Sequence, residues 1–481
     1  MPESWLFPTV LLCLYGFFSN CRPLEPFLTA FLLGPDKNLT ETQVINEIYP
    51  FWTYSYLVLL IPAFLATDYL RYKPLLILQA GSFIVTYAMI VKVQSVTAMQ
   101  LLEFFFGLAT ATDIAYYSYI YSVVDQAHYQ KVTGFCRSIT LLGSSIGSLL
   151  GQVLVSAAQV PLQYLGIITL SFACIAFLTP WFLPMPAKSL FFHHKDLHKQ
   201  ENGSSASPTE SEGDSLECKV PLNSEDHGGR DEKRRSGLAE VLRLLWVDFL
   251  QSYSSSTLLS WSLWWALSTC GYFQVVNYVQ PLWEKILPSK EFQIYNGYVE
   301  TISTLLGALA AFAVGYLKVS WEVWGELALC TFSVVIAGSV YIMDTVMNIW
   351  VCYVSYIIFR ATYMLLITIA TYQIATNLSM KRYALVFGVN TLTALLLQTL
   401  LTVIVVDSNV LALDILQQFL IYAIYFAVIA VVFLVAGVYK WRRAKAGSTQ
   451  ESSQTEETIV VGNGTPAVGQ KLDTCDHDVC L

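Results

Sequence analysis

Apolar stretches of about 20 residues, each long enough to cross the hydrocarbon core of a bilayer, recur along almost the whole of this 481-residue chain. Lipid offers backbone polar groups no partners, so a crossing segment is either a helix or a strand of a closed barrel. Uninterrupted apolar runs of this length are helices. Twelve can be read, at residues 7–31, 47–68, 74–93, 97–123, 134–157, 161–184, 257–280, 295–317, 325–343, 348–374, 383–405 and 415–439. Charged side chains make up 13% of the sequence, against about 25% in a soluble domain. An ordinary cytosolic protein is thereby excluded, and an all-α membrane protein is expected.

The N-terminal MPESWLFPTVLLCLYGFFS lacks the positive flank of a cleavable signal peptide and reads as a retained first span. Lys and Arg then set the orientation. With the N-terminus inside, Arg71, Lys73, Lys131, Lys318, Lys381, Arg382 and the clusters of the central loop and tail fall on the inner side. Lys37, Lys92, Lys285 and Lys290 fall outside, so both termini are expected in the cytosol. The polar stretch 188–236 cannot bury enough apolar surface to fold alone. Residues 1–187 and 251–440 are therefore expected as two six-helix halves, joined by a mostly disordered linker over 188–250 and followed by a disordered tail over 441–481. The halves echo one another: Tyr69-Leu70-Arg71 matches Tyr316-Leu317-Lys318, and the spacing of Tyr129, Val132 and Gly134 matches that of Tyr383, Val386 and Gly388. Parallel repeats of a six-plus-six transporter have this form.

No metal site is expected. Six of the ten cysteines fall within spans and Cys21 lies near a break in the first, and Cys475, His477 and Cys480 in the tail lack zinc-site spacing. An HExxH pattern and a P-loop are missing from the spans, which argues against a zinc-dependent enzyme of that type or an ATP-driven pump. Two echoed halves favour a carrier over a receptor or channel.

A charge at mid-bilayer costs about 2.5–3.5 kcal/mol on insertion scales. Yet the spans hold the acids Glu25, Glu103, Asp113 and Glu300 and the bases Arg22, Arg137 and Arg360, which must face a cavity or each other. On a continuous helix Glu103, Phe106, Thr110, Asp113 and Tyr117 share an arc of about 80°. Asn296, Glu300, Ser303, Thr304 and Gly307 share one face of another span, and Arg137, Thr140, Ser144 and Ser148 one face of a third. Asp113 and Arg137, on consecutive spans, read as a structural pair. For Arg22 and an acid near the RPLEP break, pairing and function both stay open. Glu103 and Glu300 are left without an obvious base and read as functional. Tyr49, Trp52 and Tyr54 form one aromatic group and Trp261, Trp264 and Trp265 another; interfacial belts account for many such residues. Aromatic rings beside unpaired carboxylates also hold organic cations.

The stretches RPLEPFLTAFLLGPDKNLTETQVINEIYPFWTYSYLVLL, ATDYLRYKP, AYYSYIYSVV, WSLWWALSTCGYFQVVNYVQ, IYNGYVE and RYALVFGVNT resemble the folate and thiamine solute carriers, the reduced folate carrier family. The cluster of Asp68, Arg71 and Lys73 is similar to the acidic-basic loop of the major facilitator superfamily, which implies that fold and a latch between the halves on the inside. Within the family the thiamine branch is the nearer. Where the folate carrier has an Arg this chain has Asp113, and where it has a Lys this chain has Gln398. The resemblance implies thiamine uptake at the plasma membrane by alternating access; a folate-carrier-like anion exchanger is the alternative. It places the pocket on Glu25, Tyr49, Trp52, Tyr87, Glu103, Phe106, Asn277 and Glu300. Glu103 would accept from the aminopyrimidine, and the aromatic residues would stack on the rings. Tyr49 stands for a Phe, Tyr87 for a Trp, Phe106 for a Tyr and Ser144 for a Tyr, which leaves secondary substrates open. The implied partners are thiamine and the bilayer, for a monomer without cofactor or nucleic acid, with protons left open as a counter-ion. Asn38, in NLT between the first two spans, is expected to carry a glycan, whereas Asn202, Asn377 and Asn463 lie on the inner side.

Overall fold

The computed structural model describes residues 6–123, 129–185, 253, 255–289, 293–314, 321–376 and 380–462. Among them are fourteen α-helices and no strand. In the N-terminal half these are α1 (Leu6–Asn20), α2 (Leu28–Leu33), α3 (Tyr49–Tyr69), α4 (Lys73–Lys92), α5 (Val96–Ala111), α6 (Ile114–Val123), α7 (Tyr129–Ser156) and α8 (Leu162–Leu178). The C-terminal half holds α9 (Ser256–Ile286), α10 (Asn296–Val314), α11 (Trp321–Thr345), α12 (Ile349–Thr376), α13 (Met380–Val405) and α14 (Ile415–Gly462).

Each of the twelve apolar runs falls on these helices, and eight helical stretches are long and apolar enough to cross a membrane unaided. Four runs fall short: α1 with α2, α5 with α6, α9 and α10. The first is broken by Pro23 and Pro26, which cannot continue a helix and leave a 3-10 turn at Glu25–Phe27. The second is broken at Thr112–Asp113, where the sequence predicts one continuous span. The other two carry more polar side chains, including Gln274, Asn277, Gln280 and Glu300. A helix turned towards a cavity needs less apolar surface than one turned towards lipid.

The break after α1 is held by α7. A Cβ at Gly143, Gly147 or Gly151 would strike the backbone of Phe17, of Cys21 and Arg22, or of Pro23, so this face of α7 lets the broken segment lie directly on it. One buried cluster fills the C-terminal half around Trp264, Tyr356, Phe359 and Phe419. Two others fill the N-terminal half, around Tyr15, Tyr72 and Tyr116, and around Phe27, Phe31 and Phe83.

The halves meet towards one side of the bundle. Asn46 donates to the Val406 carbonyl and Tyr54 to Asp407 (2.6 Å). Lys285 reaches Asp414 at 3.4 Å and Glu41 at 3.8 Å. Gln152 donates to the Ile294 carbonyl (2.7 Å) and accepts from the Gly297 amide (2.8 Å). These bonds lie towards the connections between α2 and α3, α7 and α8, α9 and α10, and α13 and α14, and we call that side closed. Deeper in, towards the side of the N-terminus, Asp113 and Arg137 are exposed. The structure is closed on one side and accessible from the other.

Lys73 donates to the Trp181 and Leu183 carbonyls (3.0 and 2.8 Å), both in its own half. It ties the α3–α4 turn to the end of α8. Arg71, with φ of 57°, opens that turn, and the side chain of Asp68 lies outside the described residues. Helix α14 also continues beyond Lys440 to Gly462. The run KWRRAKA holds no Gly or Pro that would stop the helix at Lys440. Residues 463–481 and the linker 188–250 lie outside the described residues.

Candidate functional site

The break after α1 places a charged pair inside the bundle. Arg22 Nη1 donates to Glu25 Oε1 at 2.7 Å and its Nε to the Ser19 carbonyl at 2.6 Å. Tyr87 of α4 donates to the same Glu25 oxygen at 3.1 Å. The Arg22 guanidinium lies 4.2 Å from the ring centre of Phe83 and 5.8 Å from that of Phe106. Gln280 of α9 donates to the Glu25 backbone carbonyl (2.8 Å) and accepts from the Thr29 amide (3.3 Å), so the break also touches the opposite half.

Beside this pair α5 presents Glu103, Phe106 and Thr110 on one face. Trp52 of α3 donates through Nε1 to Thr110 Oγ1 (3.1 Å), and its ring centre lies 6.4 Å from Phe106 and 6.2 Å from Phe273. Gly107 lets α3 and α5 approach, since a Cβ there would meet Ser55. Glu103 is buried, 7% exposed, and its carboxylate has no partner among the described residues; Ser55 bonds its backbone carbonyl instead, at 3.3 Å. It lies within electrostatic range of the hydroxyls of Tyr49 and Tyr278. Those two rings are 6.2 Å apart, and Tyr49 shares a hydrogen bond with Thr29 (2.8 Å). On α9 the spacing of Phe273, Asn277 and Gln280 puts all three on one helix face. Phe273 touches Trp52 and Gln280 touches Glu25, so Asn277 between them faces the same space.

Asp113 and Glu300 depart from expectation. Asp113 sits in the break between α5 and α6, which turns it towards α4, where Gln79 Nε2 donates to Oδ1 at 3.0 Å. Gln79 in turn accepts from Tyr15 (2.5 Å). The expected ion pair with Arg137 is not formed among the described residues: Arg137 is exposed, and it and Arg22 act on Asp113 only at a distance. Glu300, expected to lack a base, is bonded by Arg360 Nη1 from α12 and accepts from Tyr356 at 2.8 Å. Arg360 Nη1 also donates to Ser303 Oγ (3.0 Å). Among the described residues no three His, Cys, Asp or Glu side chains come together to hold a metal.

A carrier built from two halves around a central acid and its aromatic neighbours can be compared with known proteins. The reduced folate carrier family matches residues 3–421. The chain belongs to that family. It is similar to human thiamine transporter 1, 60% identical over 466 residues that cover 94% of each chain. Human thiamine transporter 2 is 50% identical, covering 95% of each. The human reduced folate transporter is 40% identical over 91% of this chain and 73% of its own. Among solved structures, the nucleoside transporter NupG has a TM-score of 0.56 at 12% identity, covering 89% of this chain and 98% of its own. A bacterial homologue of the human lysosomal transporter Spinster, solved inward-facing and unoccupied, gives 0.57, at 11% identity and 91% and 98% coverage. The fold is that of the major facilitator superfamily. This is a multi-pass membrane carrier, not an enzyme.

In this member of the reduced folate carrier family, Glu25, Tyr87, Trp52 and Phe106 are linked by direct contacts and through Arg22, Glu103 lies within electrostatic range of Tyr49, and Asn277 shares a helix face with Phe273 and Gln280. Glu300 is engaged with Arg360 and Tyr356. Sequence reasoning missed Phe83, Phe273, Gln280 and Tyr278. The seven-residue interval from Phe273 through Asn277 to Gln280 on one helix face carried that signal. Gln398 is fully buried and reaches Thr53 of the other half at 3.5 Å, so it belongs to the contact between halves.

Proposed function

We propose that this carrier takes up thiamine across the plasma membrane by alternating access. The observation that carries the reading is Glu103, a buried carboxylate without a protein partner among the described residues, set among Trp52, Phe106, Tyr49 and Tyr278. An organic cation with flat rings satisfies both features: the acid offsets the positive ring and accepts from an amino group, and the aromatic faces stack. Arg22 and Arg360 are each already bonded to an acid, which leaves the space negative and unfavourable to a folate. The relatives named as thiamine transporters support the same reading.

In this proposal the protein works as a monomer with both termini in the cytosol, so the closed side faces out. Asn38 lies on that side, exposed and in the left-handed region (φ 54°), where a glycan can be attached. Facilitated diffusion and proton exchange are the two candidate couplings. Uptake of labelled thiamine and labelled folate by cells expressing the chain, at two external pH values, tests the whole reading. Saturable thiamine uptake without folate uptake is expected, and folate uptake exceeding that of thiamine would overturn it.

A further inference from the structure

On the side of the N-terminus, α1 and α7 turn an apolar groove of about 370 Å³ away from the central space. Val10, Cys13, Leu14 and Phe17 of α1 and Phe135 and Ile139 of α7 line it. Val10, Leu14 and Phe135 are exposed, so in a bilayer the groove opens to lipid. At its floor Cys13 is half-buried. Behind it Cys136 is fully buried in the Tyr15 and Tyr116 cluster against which Cys13 packs, and Cys13 faces Phe135 and Ile139, the neighbours of Cys136 on α7. Tyr116 fixes this corner by donating to the Leu12 carbonyl at 3.2 Å. One turn further on, a Cβ at Gly143 would strike the Phe17 backbone of α1, and one at Gly16 would meet Tyr116 of α6 and Thr140 of α7, so the three helices approach closely there. Two thiols on neighbouring helices are thus held together at the end of an apolar passage, and the transport site uses neither.

We propose that Cys13 and Cys136 form a dithiol capture site for apolar trivalent arsenicals, soft thiophilic ligands that enter from lipid through this groove. A monosubstituted arsenoxide condenses with both thiols: two As–S bonds replace the As=O bond, and the oxygen leaves as water with the two thiol protons. Arsenic stays trivalent, so no oxidant is needed. The organic substituent lies along Val10, Leu14, Phe135 and Ile139. Bridging the thiols ties the lower part of α1 to α7, just below the break that carries Arg22 and Glu25.

The test uses the full chain in lipid nanodiscs with phenylarsine oxide as the probe. Peptide mass spectrometry should find Cys13 and Cys136 joined through one arsenic, retained against excess monothiol and released by a dithiol. Because the second As–S bond forms intramolecularly, Cys13→Ala and Cys136→Ser should each weaken retention at this site by about a hundredfold or more. Val10→Trp fills the groove and leaves both thiols in place. It should slow capture of phenylarsine oxide by about tenfold, the scale of losing part of one aromatic ring's burial, and leave capture of inorganic arsenite unchanged. Thiamine uptake by the same variants reports that they fold. A bridged mass found only at other cysteines would overturn the site. Retention unchanged in Cys136→Ser would overturn the dithiol. Equal slowing of both probes by Val10→Trp would overturn entry from lipid.

Discussion

Glu103 on α5 and Glu300 on α10 are both carboxylates set in apolar helices, one in each half, and their surroundings are opposite. Glu300 has Arg360 on one oxygen and Tyr356 on the other. Glu103, buried at 7% exposure, has none among the described residues. A buried acid with a full set of partners is part of the architecture, whereas one left without them is a position waiting for a ligand. The same substitution should therefore damage different properties at the two sites.

The largest effect is expected at the saturated site. Glu300→Gln keeps the shape but leaves Arg360 charged, largely buried and short of a partner, with its Nε already unbonded. Breaking a buried pair from one side costs about 3–5 kcal/mol, so surface abundance should collapse. Replacing Arg360 by Met in the same chain should restore much of it. Abundance measured by surface biotinylation decides the matter: a normal level for the single variant would mean that Glu300 is not held as a structural pair.

Glu103→Gln should leave abundance intact and weaken thiamine affinity. Loss of one charge-assisted bond is worth about 1.5–3 kcal/mol, or roughly ten- to a hundredfold. The readout is the concentration dependence of uptake, normalised to surface protein, and an unchanged curve would remove Glu103 from recognition. Asp113 lies between these cases. In Asp113→Asn the amide oxygen can still accept from Gln79, and the exposed Arg137 is not stranded. A cost within about 1 kcal/mol is expected, with near-normal abundance and a smaller loss of uptake than at Glu103. A collapse like that at Glu300 would show that Arg137 depends on Asp113 after all.

The contrast was only half legible in the sequence. Glu103 stood out because apolar runs make an acid conspicuous and because helical spacing put it in line with Phe106 and Thr110; both are local signals. The proline break at RPLEP was legible for the same reason. The pairing of Glu300 with Arg360 joins residues on α10 and α12, and no periodicity within either helix can show which base will meet which acid. The break at Thr112–Asp113 has no Pro or Gly to announce it, so the continuous stripe drawn through Asp113 failed where the helix does. Gln79, a single amide in the apolar run LLILQAGSF, was the clue that a polar partner waited on α4.

The smallest effect concerns the closed side, where Tyr54 donates to Asp407 Oδ2 at 2.6 Å and Asn409 bonds Oδ1 through its amide and side chain, both at 2.9 Å. Asp407 lies in the connection between α13 and α14. Burial works to raise its pKa, but the bonds from Tyr54 and Asn409 outweigh it and hold the carboxyl below its ordinary value of 3.8. A depressed carboxyl pKa stabilises the closed arrangement above the ordinary value, and that contribution fades as pH falls through the depressed one. Backbone hydrogen exchange across residues 406–412, corrected for intrinsic rates, should thus be uniformly slow near neutrality and speed up below about pH 4. Tyr54→Phe removes one donor, worth about 0.5–1.5 kcal/mol, and should speed exchange at neutral pH by roughly two- to tenfold. It should also flatten the acid dependence, because the bond that depressed the pKa is gone. Exchange in Tyr54→Phe that matched the unsubstituted chain at both pH values would mean that this bond does not help hold the two halves together.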